Sequence, residues 1–315
     1  MTATDFVWVE KYRPQTIAET ILPENLKKTF QQFVSQNEVP NLLLSGSAGV
    51  GKTTVAKALM NEIGADYIIL NGSNEGRKID FFREQVKNFA STVSFSGGRK
   101  FIIIDEADYM SAEHVQPLLR HDIEAFSKNC GFILTCNFKN RIIDPLQSRC
   151  SVVDFKMPKE EKPNLLKEFY QRIKSILEQE NIEFDNKVLA QYVQKYFPDF
   201  RRAINELQRY SGTGCIDAGI LSNASEEKFE GLIQFMKNKN FTEVRKWVAL
   251  NSDIDSDMLY RALYDILPTK IKSQVSIAHA IIILAEYQYK EAFSANPEIN
   301  RTAALATLMA EMDWV

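Results

Sequence analysis

Eight consecutive residues have the types and the spacing of a loop that binds phosphate groups. They read Gly46-Ser47-Ala48-Gly49-Val50-Gly51-Lys52-Thr53 and match the pattern GxxxxGK[ST] at every fixed position. The glycines allow the backbone to curl until its N–H groups point at phosphate oxygens. We expect Lys52 to reach the β- and γ-phosphates and the Thr53 hydroxyl to ligate Mg²⁺. The pattern therefore predicts a site for a nucleoside triphosphate, which Thr54 extends by one residue.

An acidic pair follows an apolar run further along the chain. The segment reads Ile102-Ile103-Ile104-Asp105-Glu106-Ala107-Asp108, and the carboxyl ends of strands in open parallel sheets are where ligands bind. We expect Asp105 to hold Mg²⁺ and Glu106 to polarise the attacking water. Solvated acids at a strand end would look the same, so the phosphate loop upstream decides the interpretation. Asp108 is interpreted as a cap of the next turn.

The elements that must position these residues alternate in type over the first half of the chain. Strands are predicted at 41–45, 66–70, 100–105, 130–137 and 151–155, and helices at 52–63, 79–92 and 112–126. Continuous apolar strands separated by helices indicate a parallel sheet covered on both faces. Pro117 falls inside the last of these helices and predicts a kink there.

The pattern changes after residue 157. Helical periodicity covers 159–180, 186–196 and 201–210, a Ser-Gly-Thr-Gly stretch marks a break at 211–214, and the segment from about 225 onward is again helical. No strand is predicted in this half. We therefore predict an α/β chain of three parts: an α/β domain over 1–156, a small helical domain over 157–222 and a C-terminal helical domain over 223–315.

The composition argues against several classes of protein. The chain has 315 residues, of which 45% are hydrophobic and 25% are charged, as is usual for globular proteins. Its net charge of −3 argues against a protein that coats DNA, so any DNA contact needs a local basic strip. No apolar run approaches the roughly 18 residues of a membrane span, and no secretory signal is expected. The four cysteines form no CxxC pair and are interpreted as reduced thiols.

Six motifs in a fixed order make a resemblance to a known family specific. They are WVEKYRP at 8–14, the phosphate loop, IIIDEAD, TCN, SRC and FPDFRRAINEL, and they extend from Trp8 to Leu207, about two-thirds of the chain. Through them the chain resembles the AAA+ clamp-loader ATPases, in particular the large-subunit family of T-even phage clamp loaders. The resemblance implies a P-loop AAA+ domain with a five-stranded parallel sheet, then a helical lid, then a C-terminal collar that holds subunits together.

The resemblance also implies how ATP is held at its base. The family's counterpart of the segment around Tyr12, Arg13 and Pro14 closes over the adenine. Tyr12 and Pro14 offer flat apolar surface, and Arg13 can stack or donate hydrogen bonds. Ile21 and Leu22 are expected to line the same pocket. An arm that merely packs on the sheet is the alternative.

Three further site residues are implied by the resemblance rather than by their own chemistry. Asn137 matches the family's first sensor, which positions the attacking water. Arg149, in Ser-Arg-Cys, matches the arginine finger that enters the ATP site of a neighbouring subunit. Arg201 matches the second sensor, which reaches from the lid to the γ-phosphate, and Arg202 remains the alternative.

Contact with DNA is implied in the loop before the helix that is predicted to begin at residue 79. Family members follow the DNA backbone in this region with helix N-termini and basic side chains. Arg77, Lys78 and Arg83 suit that role, because cations and backbone N–H groups bind phosphates without reading bases. Lys87 and Arg99 are further candidates, and a solvated run of charge is the alternative.

The function that the resemblance implies is ATP-driven loading of a ring-shaped sliding clamp onto primer–template DNA during replication. ATP with Mg²⁺ would be hydrolysed under stimulation by DNA and clamp. Several copies would assemble with one different, smaller subunit, in the cytoplasm of an infected bacterium. Two alternatives stay open: another AAA+ motor, such as a helicase loader or branch-migration ATPase, and a scaffold that binds ATP without cleaving it. The SRC and WVEKYRP motifs argue against the first, and the presence of Lys52, Glu106 and Arg149 argues against the second.

Overall fold

The computed structural model describes residues 6–73, 79–94, 98–212, 214–221, 224–252 and 254–314. The chain divides into two compact units, Met1–Leu221 and Ser222–Val315. Arg77 and Lys78, for which DNA contact is predicted, lie outside the described residues. Within the described ranges, no helix combines the length and the apolar character that crossing a membrane requires.

A five-stranded sheet forms the centre of the first unit. Its strands are β1 (Leu42–Ser45), β2 (Tyr67–Asn71), β3 (Lys100–Asp105), β4 (Cys130–Cys136) and β5 (Ser151–Asp154). They lie in the order β2-β3-β4-β1-β5, and every neighbouring pair is parallel. The five parallel strands confirm the sheet that the alternating pattern predicts.

Helices cover both faces of this sheet. They are α2 (Glu24–Gln36), α3 (Lys52–Ile63), α4 (Ile79–Ser91), α5 (Val115–Ala125) and α6 (Asp144–Gln147), and a shorter helix before them, α1 (Trp8–Lys11), places Trp8 in a different core. Each face has its own hydrophobic core, because successive side chains of a strand point to opposite sides. Ile103 packs in one core with Phe30 of α2 and Leu59 of α3, and its neighbour Ile102 packs in the other with Leu119 of α5.

Pro117 lies in the first turn of α5, not in its interior. The helix begins at Val115, three residues later than the predicted start at 112, so Pro117 is its third residue. The N–H groups of the first turn have no partner within a helix, so a proline there removes no helical hydrogen bond. The prediction of a kink is therefore wrong in its premise, because that prediction placed the start of the helix too early.

Three helices follow the sheet within the first unit, and we call them together the lid. They are α7 (Lys162–Gln179), α8 (Asn186–Tyr196) and α9 (Phe200–Ser211). Two short strands, β6 (Glu183–Phe184) and β7 (Cys215–Ile216), pair in parallel beside them. The prediction of no strand in this half is therefore wrong, and the reason is length, since two residues are too few to show an alternating pattern.

The second unit is a bundle of five helices within its described residues. They are α10 (Ala224–Lys237), α11 (Phe241–Leu250), α12 (Ser256–Ile266), α13 (Gln274–Glu291) and α14 (Pro297–Glu311). Their apolar faces share one core. A buried ion pair joins α13 to α14, since Arg301 Nε donates to Glu291 Oε1 at 2.7 Å.

Candidate active site

One pocket of the first unit collects most of the residues singled out by the sequence. It lies at the carboxyl edge of the sheet, where the N-terminal arm (residues 6–14), the phosphate loop (residues 46–53), the ends of β3 and β4, and the lid meet. The predicted site residues that line it are Tyr12, Arg13, Ala48, Gly49, Val50, Gly51, Lys52, Thr53, Thr54, Asp105, Glu106, Asn137 and Arg201. Gly46 and Ser47 lie at the base of the loop, where their carbonyl groups contact Lys52.

Glycines allow the phosphate loop to adopt its backbone conformation. Gly49 and Gly51 have φ angles of 77° and 95°, a region that side chains disfavour. A Cβ atom at Gly49 would also lie 1.8 Å from a carboxylate oxygen of Asp199 in the lid. The loop then leads directly into α3, whose first residue is Lys52. The N-terminus of α3 is therefore available to phosphate groups in the pocket.

Lys52 is held by three oxygen atoms. Its Nζ donates to the carbonyl oxygens of Gly46 at 2.7 Å and Ser47 at 2.8 Å, and to Asn137 Oδ1 at 2.8 Å. Burial lowers the pKa of the ammonium group, although the nearby acids Asp105 and Asp108 oppose this effect. The contact with Asn137 ties the end of the phosphate loop to the end of β4.

Two predicted magnesium ligands are already adjacent. Thr53 Oγ1 donates to Asp105 Oδ1 at 2.7 Å. Thr135 Oγ1 donates to the same oxygen at 2.5 Å, and it accepts the backbone N–H of Glu106 at 3.2 Å. Thr135 thus connects the two acids, and its role is missed in the sequence because a threonine within a buried strand resembles any other β-branched residue. Its place directly before Cys136-Asn137 in the TCN motif is the one available signal.

Glu106 has a left-handed backbone, with φ at 55°. Such a conformation is uncommon for residues other than glycine, costs of the order of 1–3 kcal/mol, and clusters at functional sites. It ends β3 abruptly and starts a short 3₁₀ helix, Ala107–Tyr109. Glu106 lines the pocket.

Asp108 does not cap the following turn, and its carboxylate binds the segment after β4 instead. The residue is 4% exposed, and its Oδ2 accepts the backbone N–H groups of Asn137 at 3.2 Å and of Phe138 at 3.1 Å. Its Oδ1 is buried, and among the described residues it finds no hydrogen-bond partner. The carboxylate therefore fixes the backbone that presents the Asn137 amide.

The predicted base-binding residues also line the pocket. Tyr12, Arg13, Pro14, Ile21 and Leu22 all do so. Within this group, Arg13 Nη1 donates to Thr54 Oγ1 of α3 at 3.1 Å, and Arg13 also pairs with Glu10. This ion pair lowers the pKa of Glu10, chiefly through the hydrogen bond.

The lid contributes an arginine that sequence reasoning missed. Arg172 of α7 lines the pocket, and its Nη2 donates to the carbonyl oxygen of Tyr12 at 2.7 Å. One arginine within a long helix that also carries three lysines gives no signal in the sequence. Phe169, Phe200 and Ile204 add an apolar wall on the same side.

The two candidates for the second sensor point in different directions. Arg201 lines the pocket and lies close enough to Lys52 to lower its pKa further. Arg202 lies over the ring of Tyr196, with its guanidinium carbon 5.6 Å from the ring centre, and does not line the pocket. The geometry therefore favours Arg201.

Arg149 lies outside the pocket of its own chain. Its Nε donates to Glu124 Oε1 at 2.6 Å and its Nη1 to the carbonyl oxygen of Pro145 at 2.6 Å. The side chain is 30% exposed, beyond the end of α6. The Arg149 side chain therefore contacts α5 and α6 of its own chain and not the pocket.

The candidate DNA-binding residues differ in how exposed they are. Arg83 and Lys87 are exposed on α4. Arg99, by contrast, is half-buried, with its Nη1 donating to the carbonyl oxygen of Val39 at 3.1 Å and its Nη2 to that of Cys130 at 3.1 Å. The guanidinium of Arg99 is therefore engaged within the fold, and the suggestion that it contacts DNA is not supported.

Comparison with family models defines the class. A model of the AAA family, the ATPases associated with various cellular activities, matches residues 42–157. A model of the AAA+ ATPase lid domain of sliding-clamp-loader large subunits matches residues 161–222. With the parallel sheet and the phosphate loop, these matches define an AAA+ ATPase.

Full-length relatives then define the family. The chain is 39% identical to the sliding-clamp-loader large subunit of Enterobacteria phage T4, over 97% of this chain and 96% of the relative. It is also 39% identical to that of Escherichia phage RB69, over 100% of this chain and 99% of the relative. A replication factor C small subunit of Archaeoglobus fulgidus is 34% identical over 96% of this chain and 97% of the relative. The chain belongs to the family of sliding-clamp-loader large subunits.

Solved structures resemble this chain at the level of fold. The Thermotoga maritima RuvB Holliday junction branch migration motor superposes with a TM-score of 0.53 and 20% identity, over 66% of this chain and 70% of that chain. At this identity the likeness concerns the AAA+ fold alone.

Proposed function

We propose that this chain is the ATPase subunit of a clamp loader, which uses ATP to place a ring-shaped sliding clamp on primer–template DNA during replication. The observation that carries the proposal is one pocket in which the phosphate loop, Asp105, Glu106 and Asn137 converge. The 39% identity to phage clamp-loader large subunits over nearly the whole chain supports the choice of substrate.

The residues present fit ATP and Mg²⁺. The three oxygens that hold Lys52 are acceptors that phosphate oxygens can replace. Thr53 Oγ1 and Asp105 Oδ1, 2.7 Å apart, are hard oxygen donors of the kind that Mg²⁺ prefers. When bound, the ion neutralises charge on the phosphate oxygens. Thr53 would hold it directly, and Asp105 through water.

The chain's own residues have separate tasks in hydrolysis. Lys52 neutralises negative charge on the β- and γ-phosphates, and Glu106 accepts hydrogen bonds from the attacking water. The Asn137 amide both donates and accepts, so it orients the water against the γ-phosphate. Arg201 would reach the γ-phosphate from the lid, which couples the nucleotide state to the position of the lid. Hydrolysis removes this link.

Assembly completes the site. Arg149, which is absent from the pocket of its own chain, would enter the site of a neighbouring copy and neutralise the transferred phosphoryl group. Several copies would join one different, smaller subunit, with residues 223–315 as the collar that holds them together. The domains are proposed as 1–156, 157–222 and 223–315. The assembly would act in the cytoplasm of an infected bacterium.

DNA and clamp would stimulate hydrolysis by completing the alignment of Glu106 and Arg149. Arg83 on α4, together with Arg77 and Lys78 in the preceding loop, would contact the DNA backbone. Such contacts recognise duplex shape and charge rather than base sequence. After hydrolysis the ring of subunits would relax and the clamp would close on DNA.

Reconstitution tests the proposal. The purified chain is combined with its candidate small subunit, the clamp and primed circular DNA, and both phosphate release and clamp retained on DNA are measured. We expect phosphate release to rise when DNA and clamp are present together, and clamp loading to require ATP. Hydrolysis that ignores clamp and DNA, with no clamp retained, would assign the chain to another kind of AAA+ motor. Nucleotide binding without any hydrolysis would indicate a scaffold.

A further inference from the structure

The N-terminal arm joins two hydrophobic cores. Trp8 is 6% exposed and belongs to the core of the lid, in the same cluster as Phe169 of α7 and Leu207 of α9. Ile17 and Leu22, which follow the arm, belong to the core beneath the sheet. The chain thus leaves the lid and reaches the sheet between residues 12 and 17, and this crossing forms one wall of the pocket.

A single side chain of the lid fastens the start of the arm. The Gln208 Oε1 atom accepts the backbone N–H of Trp8 at 2.9 Å, and its Nε2 donates to the carbonyl oxygen of Phe6 at 2.6 Å. An amide side chain is suited to this contact because it carries a donor and an acceptor together. Gln208 does not line the nucleotide pocket.

Two further residues of the lid fasten the end of α1. Glu180 Oε1 accepts the hydroxyl of Tyr12 at 2.6 Å and the ammonium of Lys11 at 2.7 Å. Arg172 Nη2 donates to the carbonyl oxygen of Tyr12 at 2.7 Å. Glu180 also lies outside the pocket lining, although Tyr12, which it holds, is part of that lining.

On the other side, the arm reaches the helix of the phosphate loop through the hydrogen bond from Arg13 to Thr54, at 3.1 Å. Tyr12, which is expected to cover the adenine, therefore takes its position from the lid, and the residues expected to hold the phosphates take theirs from the sheet. The base and the phosphates of one nucleotide would depend on two different parts of the fold.

We propose that Gln208 and Glu180 are positioning residues for the adenine part of the nucleotide, because they hold the arm to the lid. Their loss weakens binding of adenine nucleotides and leaves recognition of the phosphates intact. Through them, the same lid that carries Arg201 also carries the base-binding segment. This inference rests on the proposed function, since it takes the pocket to be an ATP site.

Two probes separate the two parts of the pocket. ADP engages both the arm and the phosphate loop, whereas inorganic tripolyphosphate engages the phosphate loop alone. Equilibrium titration measures the Kd of each for wild-type protein, Gln208→Leu and the control Gln194→Leu, which replaces an exposed glutamine of α8 in the same lid. Thermal unfolding of each variant confirms that the fold is retained.

We expect Gln208→Leu to raise the Kd for ADP about 5- to 10-fold, because only part of the free energy of the two lost hydrogen bonds enters the binding of ADP. The Kd for tripolyphosphate should stay within about twofold of the wild-type value, because the substitution removes no contact to the phosphates. Gln208→Glu keeps the oxygen that accepts the backbone N–H of Trp8, so its Kd for ADP should lie between those of wild-type protein and Gln208→Leu. Glu180→Ala, at the surface end of α7, is an independent second variant with the same expected selectivity.

Unchanged ADP affinity in both Gln208→Leu and Glu180→Ala would overturn the inference, and so would an equal loss for ADP and tripolyphosphate. Failure of the proposed function gives a different result. In that case the wild-type protein binds neither probe, and Lys52→Ala changes nothing.

Discussion

The carboxylate of Asp108 binds the backbone N–H of Asn137 at 3.2 Å and so joins the acidic motif after β3 to the loop after β4. Asn137 in turn accepts a hydrogen bond from Lys52 at 2.8 Å. The three motifs that lie far apart in the sequence are thereby one connected network at the edge of the sheet. Displacement of Asp108, Asn137 or Lys52 should therefore alter the positions of the other two.

Replacement of Asp108 tests this network. Asp108→Ala leaves two backbone N–H groups without their acceptor, so we expect the free energy of unfolding to fall by about 1–3 kcal/mol. Turnover of ATP should fall by up to about 10²-fold through misplacement of Asn137, while the Kd for ATP changes little. Denaturant unfolding and steady-state kinetics measure the two effects. An unaltered turnover number would show that Asn137 does not depend on this carboxylate.

Glu106→Gln separates binding from hydrolysis. The amide keeps the size of the side chain but cannot accept the proton of water, so we expect turnover to fall by about 10²–10⁴-fold with nucleotide affinity retained. Glu113→Gln is the matched control, because Glu113 is exposed in the segment before α5. Near-normal hydrolysis in the Glu106 variant would remove this residue from its role.

Mixed assemblies test whether Arg149 acts between subunits. Arg149→Ala alone should lose about 10³–10⁵-fold in turnover, as expected for an arginine finger. In rings that also contain Glu106→Gln chains, an intact Glu106 in one chain meets an intact Arg149 from its neighbour, so part of the activity should return. Phosphate release is measured across a series of mixing ratios. Absence of recovery at every ratio would count against action in trans.

The lowered pKa of Lys52 gives a pH dependence with a definite sign. Burial disfavours the ammonium in the folded protein, so the unfolded chain binds more protons between the lowered value and the ordinary 10.5. The free energy of unfolding without nucleotide should therefore rise with pH through that window. Urea unfolding compares wild-type protein with Lys52→Met, which should lack this contribution. The same slope in both proteins would show that Lys52 does not supply it.

Much of the sheet and of the phosphate site could be predicted because the signals are local. The runs at β1, β3 and β4 are continuous and apolar, and a buried parallel strand needs little else. The helix over 52–63 coincides with α3, Lys52–Ile63, because the phosphate loop fixes its start. The pattern GxxxxGK[ST] specifies backbone shape, charge and a metal ligand together within eight residues.

The residues that escaped prediction are those whose importance arises from contacts distant in sequence. Thr135 matters because it touches Asp105, thirty positions earlier in the chain. Arg172 matters because the lid folds back on Tyr12. Arg99 is basic and close to a predicted DNA-binding region, yet the fold uses its guanidinium to bind carbonyl groups. Composition and spacing do not carry such information.

The most direct test of an ATP site at residues 46–53 is the affinity of wild-type and Lys52→Ala protein for ATP with Mg²⁺, measured by equilibrium titration. Loss of a charge-assisted contact to the phosphates should raise the Kd on the order of 10²-fold. Lys57→Ala, on the same helix but outside the pocket lining, serves as the control. Equal affinity of wild-type and Lys52→Ala protein would contradict the assignment of this loop as the phosphate site.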